Sequence, residues 1–412
     1  MRFSIVNIGC KVNRVEVDAA AAELMARGAQ MVQGEPADIV VVNTCTVTAE
    51  ADKKTRKAVR QALKANPTAQ LVVTGCAAVM NPSWFESLDP RIHVVAKPQV
   101  VDAAWKLFAP DAPHEAVAAH GAPARSGLGF RTRVGIKAQD GCNNACTFCI
   151  VHVARGASRS VPMAQVLADA RTQAAAGARE LVLTGINLGA YDDGGTGLAG
   201  LLEALLDACP GVRFRIGSIE PRDVDDALIG LMAESDGRIC RHLHLPLQSG
   251  SSRVLSQMNR PYDAREFREL VDRLRTAMPS ISLSTDIIVG FPGETEGDFQ
   301  QTLAVARDAV FSKIHVFRYS RRAGTPAAER ADQVPAEVSA DRSMRLQELG
   351  RALCQADARS RLGTSERVLV EREGQGTSES YHPVRWRAAG PQPGELVRVR
   401  LTELSEGGIF YA

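Results

Sequence analysis

Short apolar runs alternate with helix-like stretches along most of the chain, and the alternation changes character twice. From residue 1 to about 106, the runs at 3–8, 38–43 and 70–74 are rich in Val and Ile. Runs of this kind read as strands buried on both faces, the habit of a parallel sheet. Helical spacing fills about 14–27, 50–65 and 82–88, so the region is expected to be an open parallel α/β sheet domain. From about 128 to 358, strand then helix repeats six times, with strands expected at 133–138, 181–184, 212–217, 241–245, 281–288 and 313–319. The helix expected over 162–176 begins with a proline, which suits a first helical turn. Six units fall short of the eight that close a barrel. Right-handed crossovers should therefore curl them into a partial (βα)6 barrel. From about 364 to 412, short alternating runs at 367–371, 382–386, 396–401 and 408–411 are punctuated by Gly and Pro. They predict a small antiparallel β-barrel of OB type. Residues 107–127, rich in Ala, Pro and Gly, read as a linker.

Composition narrows this picture. The chain has 412 residues, too many for one ordinary domain. Its 45% hydrophobic and 23% charged content fits packed domains rather than a disordered chain. The formal net charge is only +2, so contact with nucleic acid has to come from local clusters. No apolar run reaches membrane-span length, and the stretch behind Arg2 is too short for a secretory leader. A cytoplasmic protein without a membrane partner is expected. Nine cysteines in that reducing setting bind metal or do chemistry rather than pair. Cys209, Cys240 and Cys354 stand alone in helix- or strand-like sequence and read as inert buried thiols.

Cys142, Cys146 and Cys149 form a C-x3-C-x2-C loop after the first barrel strand. A structural zinc usually takes four protein ligands. A cubane iron–sulfur cluster held by three cysteines keeps one iron open. The spacing resembles that of radical S-adenosylmethionine (SAM) enzymes, in which the methionine part of SAM chelates the open iron. Phe148, directly before the third cysteine, agrees with that resemblance. The alternative is a zinc loop with a distant fourth ligand. Cys10, Cys45 and Cys76 each follow one of the N-terminal strands. In an open α/β sheet the carboxyl ends of strands share one rim, where ligands bind, so separations of about thirty residues collapse to one site. A second iron–sulfur cluster is the reading preferred over three unrelated thiols.

Four further motifs fall on loops of the same rim. In Thr184-Gly-Ile-Asn187, Gly185 lets backbone approach the amino group of SAM, and Asn187 closes the motif. In Gly217-Ser-Ile-Glu-Pro221, Ser218 and Glu220 offer a hydroxyl and a carboxylate to its ribose or amino end. His244-Leu-Pro-Leu-Gln-Ser-Gly250 brings Gln248. Ser284 to Glu296 brings Asp286, and Ile288 to hold adenine. In order and spacing these motifs resemble the tRNA and ribosomal-protein methylthiotransferases over nearly the whole chain: a three-Cys N-terminal domain, a radical-SAM core and a C-terminal TRAM domain.

The stretches Cys142 to Ile150 with Ala154-Arg-Gly156, and His315 to Ala327, look closest to the branch that acts on threonylcarbamoyladenosine in tRNA. Arg318 departs from the pattern by standing where proline is expected, which adds positive charge. The resemblance implies two 4Fe–4S clusters: one on Cys142, Cys146 and Cys149 that reduces SAM to a deoxyadenosyl radical, and one on Cys10, Cys45 and Cys76 that carries the methylthio sulfur. It also implies the anticodon stem-loop of tRNA as partner, an electron donor such as flavodoxin or ferredoxin, and a monomer. Competing readings are methylthiolation of isopentenyladenosine or of a ribosomal-protein aspartate and, in another class, a non-catalytic iron–sulfur RNA-binding or redox-sensing protein.

Two cationic groups are candidates for RNA. Lys53, Lys57, Arg60 and Lys64 recur at helical spacing opposite a less polar face, as a phosphate rail or a solvated surface. Arg318, Arg321 and Arg322 follow the last barrel strand and are expected to face the radical-cluster rim. From Thr364 onward there are six Arg, no Lys and seven Glu, a net charge of −1, which is unlike a basic RNA-binding face. Trp386 is expected to pack in the core there rather than stack on a base.

Overall fold

The computed structural model of the chain describes residues 1–46, 49–109, 132–387 and 390–412. Its N-terminal sheet has five parallel strands: β1 (Arg2–Asn7), β2 (Gln30–Met31), β3 (Ile39–Thr44), β4 (Gln70–Gly75) and β5 (Ile92–Val94), in the order β2-β1-β3-β4-β5. β3 is buried along its whole length, its apolar run at 39–42 followed by the buried polar pair Asn43 and Thr44. The edge strands β2 and β5 are too short to leave a pattern in the sequence. The strand order reverses direction between β1 and β3. Cys10 and Cys45 follow the carboxyl ends of these two strands, so they stand beside the crevice that such a switch opens.

Helix boundaries differ from expectation at the thiols. The helix Lys11–Ala26 starts directly after Cys10, and Cys76 itself opens the short helix Cys76–Met80. At the other end, the helix Val100–Phe108 runs past residue 106, where the linker was expected to begin. Residues 110–127 of that linker lie outside the described residues.

The central region has its six strands: β6 (Arg133–Lys137), β7 (Glu180–Thr184), β8 (Arg213–Ile216), β9 (His242–His244), β10 (Ser282–Val289) and β11 (Lys313–Arg318). They pair in parallel as β6-β7-β8 and β9-β10-β11. Parallel bridges Phe214–Ile239 and Ser218–His244 join the two halves. Among the described residues β6 and β11 do not pair, so the barrel stays open. Its core is apolar throughout, with Leu181, Phe214, Leu243 and Ile287 of the strands against Leu201, Leu205, Phe267 and Leu274 of the helices. Every crossover returns the chain to the same end, so the loops after the strands converge there.

The C-terminal sheet contains β12 (Ser365–Arg372), β13 (Gln375–Ser378), β14 (Pro383–Arg385), β15 (Leu396–Arg400), β16 (Glu403–Leu404) and β17 (Phe410–Tyr411), in the order β15-β12-β13-β14-β17-β16. It departs from the expected wholly antiparallel barrel at one place, where β14 and β17 are parallel. The long connection through β15 and β16 permits this, as no hairpin would. Trp386 is half-buried against a core of Val368, Val384, Leu401 and Phe410, as its expected packing role requires.

A buried charge cluster joins this sheet to the barrel. Arg213 and Arg215 on β8 are 1% exposed, and both donate to Glu180 of β7, at 2.7 and 2.8 Å. Their remaining N–H groups donate to C-terminal carbonyls: Arg213 to Arg367 at 2.6 Å, and Arg215 to Ser378 at 3.0 Å and Glu379 at 3.1 Å. Burial alone pushes the Glu180 carboxyl up, but the charges of Arg215 and Arg213 outweigh it and hold it down to about 2. A group depressed on folding stabilises the fold above its ordinary value, near pH 4.5, and loses that contribution as pH falls toward 2. Glu180→Gln strands two buried guanidinium charges, so urea unfolding at pH 7 should show a loss of about 3–5 kcal/mol. Most of the difference from wild type should vanish below pH 3.

Candidate functional site

Six thiols meet around one cavity of about 780 Å³. Cys10, Cys45 and Cys76 line one side, and Cys142, Cys146 and Cys149 another. The N-terminal three are tied to one another through backbone and side-chain amides. Asn13, wholly buried, donates from Nδ2 to the carbonyls of Ile8, two residues before Cys10, and Thr44, directly before Cys45. Thr44 Oγ1 donates to the Thr74 carbonyl at 2.6 Å and accepts from the Ala78 amide, which links the Cys45 and Cys76 ends. Thr55 bonds the Cys45 carbonyl at 3.1 Å. Gly75 turns the chain into Cys76 at φ +99°, and a Cβ there would lie 2.6 Å from Asn43 Oδ1.

The loop of Cys142 to Cys149 is held by the segment that ends in Arg260. Thr147 donates to the carbonyls of Met258 and Gln257, and Asn259 to that of Ala145. N–H groups also point at sulfur: Asn144 at Cys142 (3.3 Å), Val151 at Cys149 (3.4 Å) and Arg260 at Cys146 (3.1 Å). Burial pushes all three thiols up, Cys149 to about 11. Buried thiols of this kind become thiolates when a metal takes the place of the proton. An all-sulfur donor set with N–H groups aimed at it fits an iron–sulfur cluster.

The barrel supplies the other walls. Gly185, Ser218, Glu220, Gln248 and Asp286 line the cavity. Asn187 and Ile288 do not: Asn187 is buried beneath the loop, and Ile288 packs with Phe148 and Tyr319 against a small apolar cluster. Burial raises the Glu220 carboxyl although Arg260 pairs with it. Gln248 takes φ +63°, rare outside glycine; its amide bonds the Asp286 carbonyl, and its own carbonyl accepts from Ile288.

Several cavity residues carried no motif of their own in the sequence. Arg260 is one. Lys11 is another, while His315 and Phe317 open the stretch His315 to Ala327 but were given no role of their own there. Tyr381 reaches in from the C-terminal sheet at φ +72° and stacks on His242 at 4.8 Å between ring centres. Arg215 and Arg133 lie 4.8 and 5.1 Å from its ring centre. Burial pushes the Tyr381 phenol up, but the charges of Arg133 and Lys11 outweigh it and hold it below its ordinary value. No motif or run in the sequence pointed to it.

The cationic candidates are placed unequally. Lys53, Lys57, Arg60 and Lys64 are all exposed on one face of the helix Ala49–Ala65, while Thr55, Val59 and Ala62 are buried. Arg318 and Arg321 are exposed as well. Arg322 is not: it pairs with Asp52 of that same helix and so joins the barrel to the N-terminal domain. Arg322→Ala should therefore raise hydrogen exchange in the helix Ala49–Ala65, which Arg321→Ala should leave unchanged.

Curled parallel strands with three thiols on the loop after the first one define a radical-SAM class of enzyme. Residues 136–306 match the model of the Radical SAM superfamily, and residues 2–96 that described as Uncharacterized protein family UPF0004. The threonylcarbamoyladenosine tRNA methylthiotransferase MtaB of Chlamydia pneumoniae is 37% identical over 99% of this chain and 97% of its own. The protein of that name from Thermotoga maritima is 35% identical, covering 98% and 95%. A tRNA-2-methylthio-N(6)-dimethylallyladenosine synthase of Cereibacter sphaeroides is also 35% identical, covering 97% and 96%. Among solved structures, the radical SAM methyltransferase TsrM from Kitasatospora setae shares the fold, with a TM-score of 0.58 at 15% identity over 79% of this chain and 77% of that one.

The chain belongs to the radical-SAM tRNA methylthiotransferase family. It is a transferase, and its cofactors are two 4Fe–4S clusters and SAM. The non-catalytic sensor reading falls with that membership. No helix among the described residues is long and apolar enough to cross a membrane.

Proposed function

We propose that the protein adds a methylthio group to C2 of N6-threonylcarbamoyladenosine beside the anticodon of tRNA. The observation that carries the reading is that both thiol trios line one cavity. A sulfur carrier on one side and a radical source on the other both reach a base held between them. Cys142, Cys146 and Cys149 hold the cluster that binds SAM, with Gly185, Ser218, Glu220, Gln248 and Asp286 around it. Cys10, Cys45 and Cys76 hold the second cluster. When bound, these groups supply the radical needed to activate an aromatic C–H, which side chains alone cannot make. The protein's part is to fix the base against the two trios and keep water out.

The choice of base is supported by relatives of that name at 35–37% identity over nearly the full chain. The dimethylallyladenosine branch is the second reading, favoured by relatives at 34–36%. For the RNA body, the exposed stripe Lys53, Lys57, Arg60 and Lys64 with Arg318 and Arg321 offers phosphate contacts. A flavodoxin- or ferredoxin-type donor supplies the electron.

Mass spectrometry of tRNA nucleosides from a host lacking the gene tests the reading. Methylthio-threonylcarbamoyladenosine should vanish and return with wild type but not with Cys10→Ala or Cys142→Ala. Loss of the isopentenyl product instead would move the protein to the other branch. In the purified protein, replacing Cys10, Cys45 and Cys76 together by Ala should remove about half the iron yet leave cleavage of SAM in place.

A further inference from the structure

One wall of the cavity carries two ammonium groups that form no ion pair with a described residue. Side chains alternate along β11, so Lys313, His315 and Phe317 share the face that lines the cavity. Lys11, next to Cys10, enters the same space from the N-terminal domain. Neither lysine has an ion-pair partner among the described residues; the contact of Lys11 is the Tyr381 ring, 5.8 Å from Nζ to its centre. The other cations of the cavity are matched, Arg155 by Glu16 and Asp140, and Arg260 by Glu220.

Asp286 is the one carboxylate on this wall, and it lies 3.2 Å from His244 Nε2. Ligand atoms of His244, Asp286 and His315 lie within 4.8 Å of one another. Two imidazoles and a carboxylate in that arrangement can hold a divalent cation. Two unmatched ammonium groups at its border oppose a cation and attract an anion. Phe317, 38% exposed, offers an apolar ring in the same row.

We propose that Lys11, Lys313 and His315 seat the carboxylate of the threonylcarbamoyl arm, with Phe317 as the platform for the adenine ring. The inference rests on the substrate reading above. Same-face neighbours on a strand stand roughly 7 Å apart. The arm's carboxyl carbon is four bonds from N6, a matching reach for a base stacked on Phe317. An isopentenyl arm brings no charge, so it would desolvate these ammonium groups without a partner. The wall thus selects between the two bases that the family's members modify.

Cluster-loaded protein, kept free of oxygen, would be titrated by fluorescence polarisation into three anticodon hairpins that differ only in bearing threonylcarbamoyl-, isopentenyl- or unmodified adenosine. Wild type should prefer the first. Lys11→Met should lose roughly tenfold on that hairpin alone, the scale of a hydrogen bond to a charged group. Lys11→Arg should keep most of the preference, and Lys313→Met should repeat the loss in part. SAM affinity, by equilibrium dialysis, should not move. Equal weakening on all three hairpins would mark a phosphate contact and overturn the inference, as would lost SAM affinity, which would mark the SAM carboxylate. A discriminating wild type beside Lys11→Met and Lys313→Met variants that discriminate equally well would overturn this inference alone. A wild type without preference would overturn the substrate reading beneath it. Both lysines are exposed to solvent, so thermal melts of the variants should match wild type.

Discussion

The shared cavity depends on one half-buried carboxylate. Glu16, on the helix that Cys10 precedes, accepts from Lys137 at 2.7 Å and Arg155 at 3.1 Å and pairs with Lys97. Lys137 and Arg155 also reach Asp140, two residues before the barrel's first thiol, at 2.7 and 2.8 Å. Burial pushes Glu16 up, but Arg155 and the two lysines hold it below the ordinary carboxylate range, so it is a fixed charge at neutral pH. Ion pairs of this kind add little net stability over an apolar contact, yet they are severely destabilising when one partner is missing. Their effect here is to permit one docking of the domains and penalise others. Gly135 on β6 completes the fit, because a side chain there would collide with Val15 of the same helix. If the helix shifted by a turn, the two thiol trios would face different spaces.

Most of the strand plan was legible in the sequence because parallel strands buried on both faces leave unbroken apolar runs. β3 and β4, with Ile-Val-Val-Val and Leu-Val-Val at their centres, are of this kind. The convergence of Cys10, Cys45 and Cys76 followed from the same rule, since the carboxyl ends of parallel strands share a rim. What stayed hidden has no period. Arg260 acts through the Cys146 sulfur and Glu220, contacts across separations of 114 and 40 residues. Arg322 looked like a free cation because its partner Asp52 lies 270 residues away. Ile288 alternates along β10 on the face turned toward a small apolar cluster, and a motif read from its neighbours could not assign it a face.

The C-terminal sheet is acidic overall, and its tie to the barrel shows how it nevertheless serves the site. Arg213 and Arg215 donate to its backbone carbonyls rather than to its carboxylates. Backbone acceptors recur in any sequence of the same fold, so this attachment survives changes of side chain on the sheet. It fixes the turn that carries Tyr381, whose ring lines the cavity against His242. That ring stands among Lys11, Arg133 and Arg215. An electron-rich face there lowers the cost of crowding three cations in partly dry surroundings.

Charge therefore divides the cations of the cavity into two groups. At the barrel thiols every cation is matched: Arg260 by Glu220 and by sulfur, Arg155 by Glu16 and Asp140. Matched charges at fixed distance hold a geometry and have little left with which to attract a diffusing ligand. Beside Cys10 and on β11, Lys11 and Lys313 are exposed and have no ion-pair partner among the described residues. An unmatched ammonium in a confined space gains most from an anion that arrives already aligned, and gains nothing from an apolar arm of the same length. The paired cations thus fix the barrel thiols in place, and the proposed selection between arms rests on the two lysines left unpaired.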